Sequence, residues 1–159
     1  MQALVLDADW TPRDGATGAA GEPGRATDAS KAFRHPELRL EERDRPTPAR
    51  NEALVRVRYV GICGSDVSFI ETDDEGYVHY SAYADLPNVI GHEFAGEVVD
   101  VGGGVTEFAA GDLVTSEVTD YCGRCRTCKG GHRGHCENFE QFGFTVPGAL
   151  AEYVAVPEK

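Results

Sequence analysis

Lysine is scarce in this chain, at Lys31, Lys129 and Lys159 only, and residues 63–121 contain no Lys or Arg at all against thirteen Asp and Glu. With 15 basic and 27 acidic residues the net charge is −12, which argues against nucleic acid or an anionic membrane as a partner. Long apolar runs are missing too, as is any basic segment followed by an apolar one near the start. Neither a bilayer span nor a secretion signal is therefore expected, and the protein is read as soluble and cytoplasmic. So acidic a surface suits a protein kept in solution at high salt, where self-repulsion is screened, and suggests a halophilic source. The 159 residues suffice for one domain, 1–159, with a sizeable core.

The organising stretch is Y-C-G-R-C-R-T-C-K-G-G-H-R-G-H-C, residues 121–136. Cys122, Cys125, Cys128 and Cys136 stand at C-x2-C-x2-C-x7-C in a glycine-rich, apolar-poor lobe (121–137), so they can converge without a packed core. Tetrahedral zinc fits best: four thiolates fill its coordination shell, leave no open position and make the site structural. An iron-sulfur site would favour C-x2-C-x2-C-x3-C-P, whereas here the last gap is seven residues and Glu137 follows. A disulfide framework suits small secreted domains and fits this spacing poorly. Arg124, Arg126, Lys129 and Arg133 surround the thiols and partly offset their charge.

Along the chain, short strand patterns are expected at 1–6, 38–42, 53–60, 113–118 and 149–156. In the 53–60 run Val55, Val57 and Tyr59 alternate with Arg56 and Arg58. Residues 12–32, rich in Gly, Ala, Thr and Asp, read as an exposed loop. After Gly61, Ser65 or Asp66 is expected to cap a short helix, which places Cys63 at a strand-to-helix junction. Residues 71–86 form an acidic loop whose Tyr77, Tyr80 and Tyr83, with His79, either line a polar pocket or pack on the surface, the second at least as readily. Many short strands between Gly and Pro imply a mainly β barrel or sandwich. The triplet at 102–104 is no dinucleotide fingerprint, because Glu107 stands where a third glycine is needed.

Cys63, His92 and Glu93 are the residue types of a second, incomplete metal site, the kind that leaves a position for substrate. Taken alone, single Cys and His residues are more often buried packing residues than ligands.

Five motifs occur in order: G-I-C-G-S-D (61–66), G-H-E-F-A-G-E-V (91–98), V-G-G-G-V-T-E-F-A-A-G-D-L-V (101–114), the four-cysteine lobe and G-A-L-A-E-Y (148–153). That succession resembles the catalytic domain of the zinc-dependent medium-chain alcohol and polyol dehydrogenases. The resemblance covers most of the chain from residue 53 and implies a GroES-like barrel with short helices. It implies two zinc ions per chain: Cys63 and His92 as catalytic-zinc ligands with Glu93 a ligand or exchangeable neighbour, and the cysteine lobe as the structural site. Ser65 then matches the hydroxyl that takes the alcohol's proton, and Asp66 the carboxylate that orients the ligand His. The implied reaction is oxidation of a secondary alcohol, held on zinc as the alkoxide, by hydride transfer to NAD or NADP.

Two departures stand out. Ser68 occupies a position where many members carry a His that ends the proton relay. The family's Rossmann domain, which binds nicotinamide and through which members usually associate, and a further zinc ligand are expected beyond Lys159. Within the family, W-T-P (10–12), D-E-G-Y (74–77) and C-E-N-F-E-Q-F-G-F (136–144) look most like the polyol branch, including inosose dehydrogenases, with threonine dehydrogenases close by. A small alcohol or polyol is the expected partner. The rivals are a stand-alone zinc-stabilised binding module without catalysis and an iron-sulfur electron carrier.

Overall fold

The computed structural model describes residues 1–13 and 23–158. In chain order the elements are β1 (Gln2–Trp10), β2 (Arg25–Ala26), β3 (Phe33–Glu42), β4 (Glu52–Gly61), α1 (Gly64–Ser68), β5 (Ala84–Asp85), β6 (Asn88–Val89), β7 (Glu93–Val101), β8 (Leu113–Thr115), β9 (Thr119–Asp120), α2 (Arg126–Lys129), β10 (Glu140–Gln141) and β11 (Tyr153–Pro157). One sheet runs β3-β1-β6 and a second runs β11-β4-β7-β8, with every strand pairing antiparallel. A doubly wound nucleotide fold needs a parallel sheet, and the described residues form none.

One segment joins the two sheets. Leu4 N–H donates to the Leu150 carbonyl (2.7 Å) and Glu152 N–H to the Gln2 carbonyl (3.1 Å). Immediately afterwards β11 pairs with β4, from Tyr153 opposite Arg56 to Pro157 opposite Glu52. The sheets thus curl into a barrel that buries Val55, Phe94, Phe142, Ala149 and Val154 on one side and Leu6, Phe33, Phe69, Ile90 and Phe144 on the other.

Several elements differ from the sequence reading. The first strand continues to Trp10, and the second begins at Phe33 because its pairing with β1 reaches Trp10↔Phe33. Expected alternation in β4 fails at Tyr59, which is 79% exposed. The β4–β7 register shifts between Val57 and Tyr59, and the extra residue in this bulge turns the aromatic ring outward. Arg56 and Arg58 both reach Glu97 Oε2, at 2.9 and 2.8 Å, and hold its carboxyl below the usual range. Regular pairing of β8 stops at Thr115, short of residue 118, and the last strand starts only at Tyr153.

The exposed-loop reading of 12–32 is corrected for 25–32; residues 14–22 of it lie outside the described residues. Ala26, Ala29 and Ala32 are fully buried. β2 pairs with β5, and Ala29 N–H donates to the Ala82 carbonyl (3.0 Å), so this segment and residues 71–86 together roof the Phe33–Phe69–Phe144 core. Small side chains let the two backbones approach closely while still removing apolar surface from water. No helix among the described residues is long and apolar enough to cross a membrane.

Candidate metal centres

The β4–β7 ladder ends at the pair Gly61↔Glu93. Cys63, two residues past one strand end, and His92, just before the other, therefore emerge at the same end of the sheet. A Cβ at Gly61 would lie 2.8 Å from Glu93 Oε2, so the glycine makes room for the carboxylate. One ligand atom each from Cys63, His92 and Glu93 falls within 4.8 Å of the others.

The helix cap is Cys63, two residues before Ser65 and three before Asp66. Asp66 instead sits at the third helical position and reaches back, its Oδ2 accepting from Cys63 N–H at 2.9 Å. That is one half of a capping box, legible in the C-x-x-D spacing. The other carboxylate oxygen, Oδ1, faces His92 Nδ1 at 3.4 Å, with both side chains buried. Nδ1 still has no hydrogen bond of good geometry. Nε2, on the other side of the ring, lies 3.3 Å from Ser65 Oγ. The donor set fits a metal with nitrogen and sulfur preference: Asp66 addresses Nδ1, which leaves Nε2 for an ion beside a thiol and a carboxylate.

Packing engages two of the three tyrosines of the 71–86 loop. Tyr77 is buried beneath Arg13 and Arg34, whose guanidinium carbons lie 3.8 and 5.1 Å from its ring centre, and its hydroxyl donates to the Thr11 carbonyl. Tyr83 is exposed, and His79 is half-exposed beside Glu71. Tyr80 stacks on Phe144, and Phe144 in turn packs on the His92 ring. Burial, and then the nearby Asp66 charge, push the Tyr80 hydroxyl up to about 12. The sequence reading missed Phe144 altogether, since an apolar residue in a loop carries no sign of what it touches.

Position 91 must be glycine. Gly91 has φ +90°, and two other glycines press on it: a Cβ at Gly148 would come 2.2 Å from the Gly91 carbonyl oxygen, and one at Gly143 would come 2.9 Å from the Gly91 nitrogen. Ala149 N–H donates to that same carbonyl at 2.8 Å. Residues 141–150 thus clasp the backbone that presents His92.

The second group is the cysteine lobe, on a neck made by β9 pairing with β10. The four sulfurs lie within 4.8 Å of one another. Backbone donors surround them: Cys122 N–H reaches Cys136 Sγ (3.3 Å), Cys125 N–H reaches Cys122 Sγ (3.4 Å) and Asn138 N–H reaches Cys136 Sγ (3.3 Å). Asn138 Nδ2 adds a contact to Cys122 Sγ at 3.5 Å, a role not foreseen for it. The Thr127 hydroxyl first, and then backbone donors, bring Cys125 down to about 5, whereas burial and the neighbouring sulfurs push Cys128 up to about 12. Four thiolates in such proximity repel one another, and a divalent cation among them favours the charged form of all four. Within the expected loop lie one turn of helix, α2, and a 3-10 turn (Arg133–His135). Arg133 donates to the Tyr121 hydroxyl at 2.8 Å.

Comparison with known proteins places this arrangement. Residues 49–159 match the alcohol dehydrogenase GroES-like domain family. The scyllo-inosose 3-dehydrogenase of Thermotoga maritima is 40% identical over 100% of this chain and 42% of its own length. The L-threonine 3-dehydrogenase of Saccharopolyspora erythraea is 43% identical over 78% of this chain and 35% of its own. Among solved structures, an alcohol-dehydrogenase-like protein of Thermotoga maritima superposes with a TM-score of 0.92 at 39% identity, covering 98% of this chain and 42% of that one. The chain thus spans about two fifths of the length of such relatives. This chain therefore belongs to the alcohol dehydrogenase GroES-like domain family.

Proposed function

We propose that this chain is the substrate-activating domain of a zinc-dependent alcohol or polyol dehydrogenase, which oxidises a secondary alcohol by hydride transfer to NAD or NADP held by residues outside these 159. The observation that carries the reading is the convergence of Cys63, His92 and Glu93 within 4.8 Å at the mouth of the barrel. These three side chains would hold the ion, and Cys122, Cys125, Cys128 and Cys136 a second, structural one. When bound at the first site, zinc supplies Lewis acidity toward an alcohol oxygen.

The remaining work falls to the protein. Ser65 Oγ, 3.3 Å from His92 Nε2 and half-buried, is placed to take the alcohol's proton and pass it towards water. Ser68 does not extend that relay: its hydroxyl donates to the Ser65 carbonyl at 3.0 Å. Asp66 biases the proton of His92 to Nδ1 and so leaves Nε2 as the ligand atom. The relatives' names point to substrates of the inosose and threonine kind, both of which bear a secondary hydroxyl.

Zinc content tests the reading. Elemental analysis of the purified chain is expected to give two zinc ions per molecule, and Cys63→Ala one, with the cysteine lobe still loaded. A Cys63→Ala chain that keeps both ions overturns the assignment, and a parent chain holding a single ion, lost with Cys122→Ser, points to a binding module instead.

Charge on this domain also has an expected outcome. Glu71, Asp73, Asp74, Asp100, Glu107, Asp112 and Glu117 are all exposed on a stretch without a basic residue. Their mutual repulsion is screened as the Debye length falls from about 10 Å at 0.1 M salt to about 3 Å at 1 M. The melting temperature should therefore rise between 0.1 and 1 M KCl, and equal values would remove the case for adaptation to salt.

A further inference from the structure

Two aromatic rings from separate segments stand in series towards His92. Tyr80, from the 71–86 excursion, lies 4.6 Å from Phe144 with the ring planes 12° apart, and Phe144 lies 4.9 Å from His92 at 42°. Phe69 closes the cluster, 4.8 Å from Tyr80 and 5.7 Å from Phe144. Centroid separations of this size are those of favourable ring pairs. Phe144 is buried and tied at both ends, its N–H donating to the Gln141 carbonyl (3.2 Å) and its own carbonyl accepting from Asp85 N–H (2.9 Å).

The polar partner of His92 is weaker than its position suggests. Asp66 Oδ1 stands 3.4 Å from Nδ1, which is buried and makes no well-formed hydrogen bond. A contact this long can select which nitrogen faces the helix, but it leaves the plane of the ring free to swing. Packing against an aromatic face restrains that swing.

We infer that the Tyr80–Phe144 stack positions His92, fixing the plane of its imidazole so that Nε2 meets Cys63 and Glu93, while Asp66 only chooses the tautomer. The inference rests on the metal-centre reading above, and it makes Tyr80 a positioning residue that acts through Phe144 without touching the ion. The excursion that carries Tyr80 is thereby coupled to the geometry of the site.

The test uses Tyr80→Leu, which removes the outer ring, Tyr80→Phe, which keeps it, and Phe144→Leu as a second probe. Zinc is titrated in competition with a chromophoric chelator, and cobalt(II) serves as a spectroscopic probe, each compared with a Cys63→Ala chain to isolate the site. Tyr80→Leu is expected to weaken the Cys63–His92 site about tenfold, in the range found when groups behind a metal ligand are lost. It should also alter the visible cobalt bands of that site and leave the four-cysteine site unchanged. Tyr80→Phe should match the parent. If Tyr80→Leu and Phe144→Leu fold and both keep the parent's affinity and cobalt spectrum, the inference is overturned.

A second readout is independent of metal at that site. With zinc in the cysteine lobe alone, nuclear Overhauser contacts between the His92 and Phe144 rings should be strong in the parent and Tyr80→Phe and weak in Tyr80→Leu. Unchanged contacts in Tyr80→Leu would overturn the positioning role. A parent chain that binds only one zinc ion refutes the metal-centre reading alone, since the ring contacts still decide whether Tyr80 orients His92.

Discussion

Replacing Cys136 with Ser is expected to cost the chain one zinc ion and to unravel residues 121–137 while the barrel stays folded. The lobe has no apolar core of its own: between Tyr121 and Cys136 there is no large aliphatic residue, and none of the lobe's residues belongs to the buried apolar clusters of the barrel. In isolated zinc modules, metal binding supplies about 10–16 kcal/mol, and that free energy is the folding free energy. The β9–β10 neck contributes just two residue pairs, Asp120↔Glu140 and Thr119↔Gln141, so loss of the lobe stops there. Trypsin reads the outcome directly. Arg124, Arg126, Lys129 and Arg133 all lie in the lobe, and the preceding stretch from Cys63 to Tyr121 offers no cleavage site. Cys136→Ser, or the parent treated with a strong chelator, should be cut rapidly at those four positions, whereas the zinc-loaded parent should resist. A variant that resists trypsin as the parent does would show that something other than the metal orders the lobe.

Gly148→Ala is expected to be strongly destabilising for the addition of a single methyl group. Its Cβ would lie 2.2 Å from the Gly91 carbonyl oxygen and 2.7 Å from the Ile90 carbonyl oxygen. Both obstacles are backbone, so no rotamer change relieves them. Gly91 is itself pinned by Gly143 and by the hydrogen bond from Ala149. The strain should reach about 3 kcal/mol, the upper part of the usual range for overpacking, and for a domain of this size that is a fall of about 10 °C in melting temperature. It should also loosen the Cys63–His92 site while sparing the cysteine lobe, because the displaced backbone is the one that carries His92. Gly103→Ala, where an added Cβ meets nothing within 4 Å, is the matched control. Equal stability of the two variants would mean that the clasp yields at little cost.

Strand content and the order of motifs were legible in the sequence because they are local. The alternating run in β4, the glycines at 61 and 91 and the cysteine spacing each carry their signal within a few residues. Convergence of Cys63 with His92 and Glu93 was not local. It was one reading of the residue types beside packing, the resemblance favoured it, and physically it follows from the β4–β7 register, which ends at Gly61↔Glu93. Other features left fainter traces. Burial of Ala26, Ala29 and Ala32 showed only as alanines three apart in a polar, glycine-rich stretch, too small a hydrophobic signal to set against its surroundings. The outward turn of Tyr59 depends on a bulge that its pairing partner creates. The Tyr80–Phe144–His92 series joins three distant segments, and no periodicity within any one of them announces it.

The glycine clasp also sets an order of events. During synthesis from the N-terminus, His92 and Glu93 leave the ribosome about fifty residues, and Cys63 about eighty, before Gly143. Until Gly143 and Gly148 arrive, nothing holds Gly91 in its left-handed conformation, and β1 lacks the Leu150 and Glu152 backbone partners that link it to β11. Three candidate ligands therefore remain unassembled while the four cysteines, made in one short stretch, can already gather an ion. Metal should enter the lobe first and the barrel mouth last, after β11 has closed the sheet.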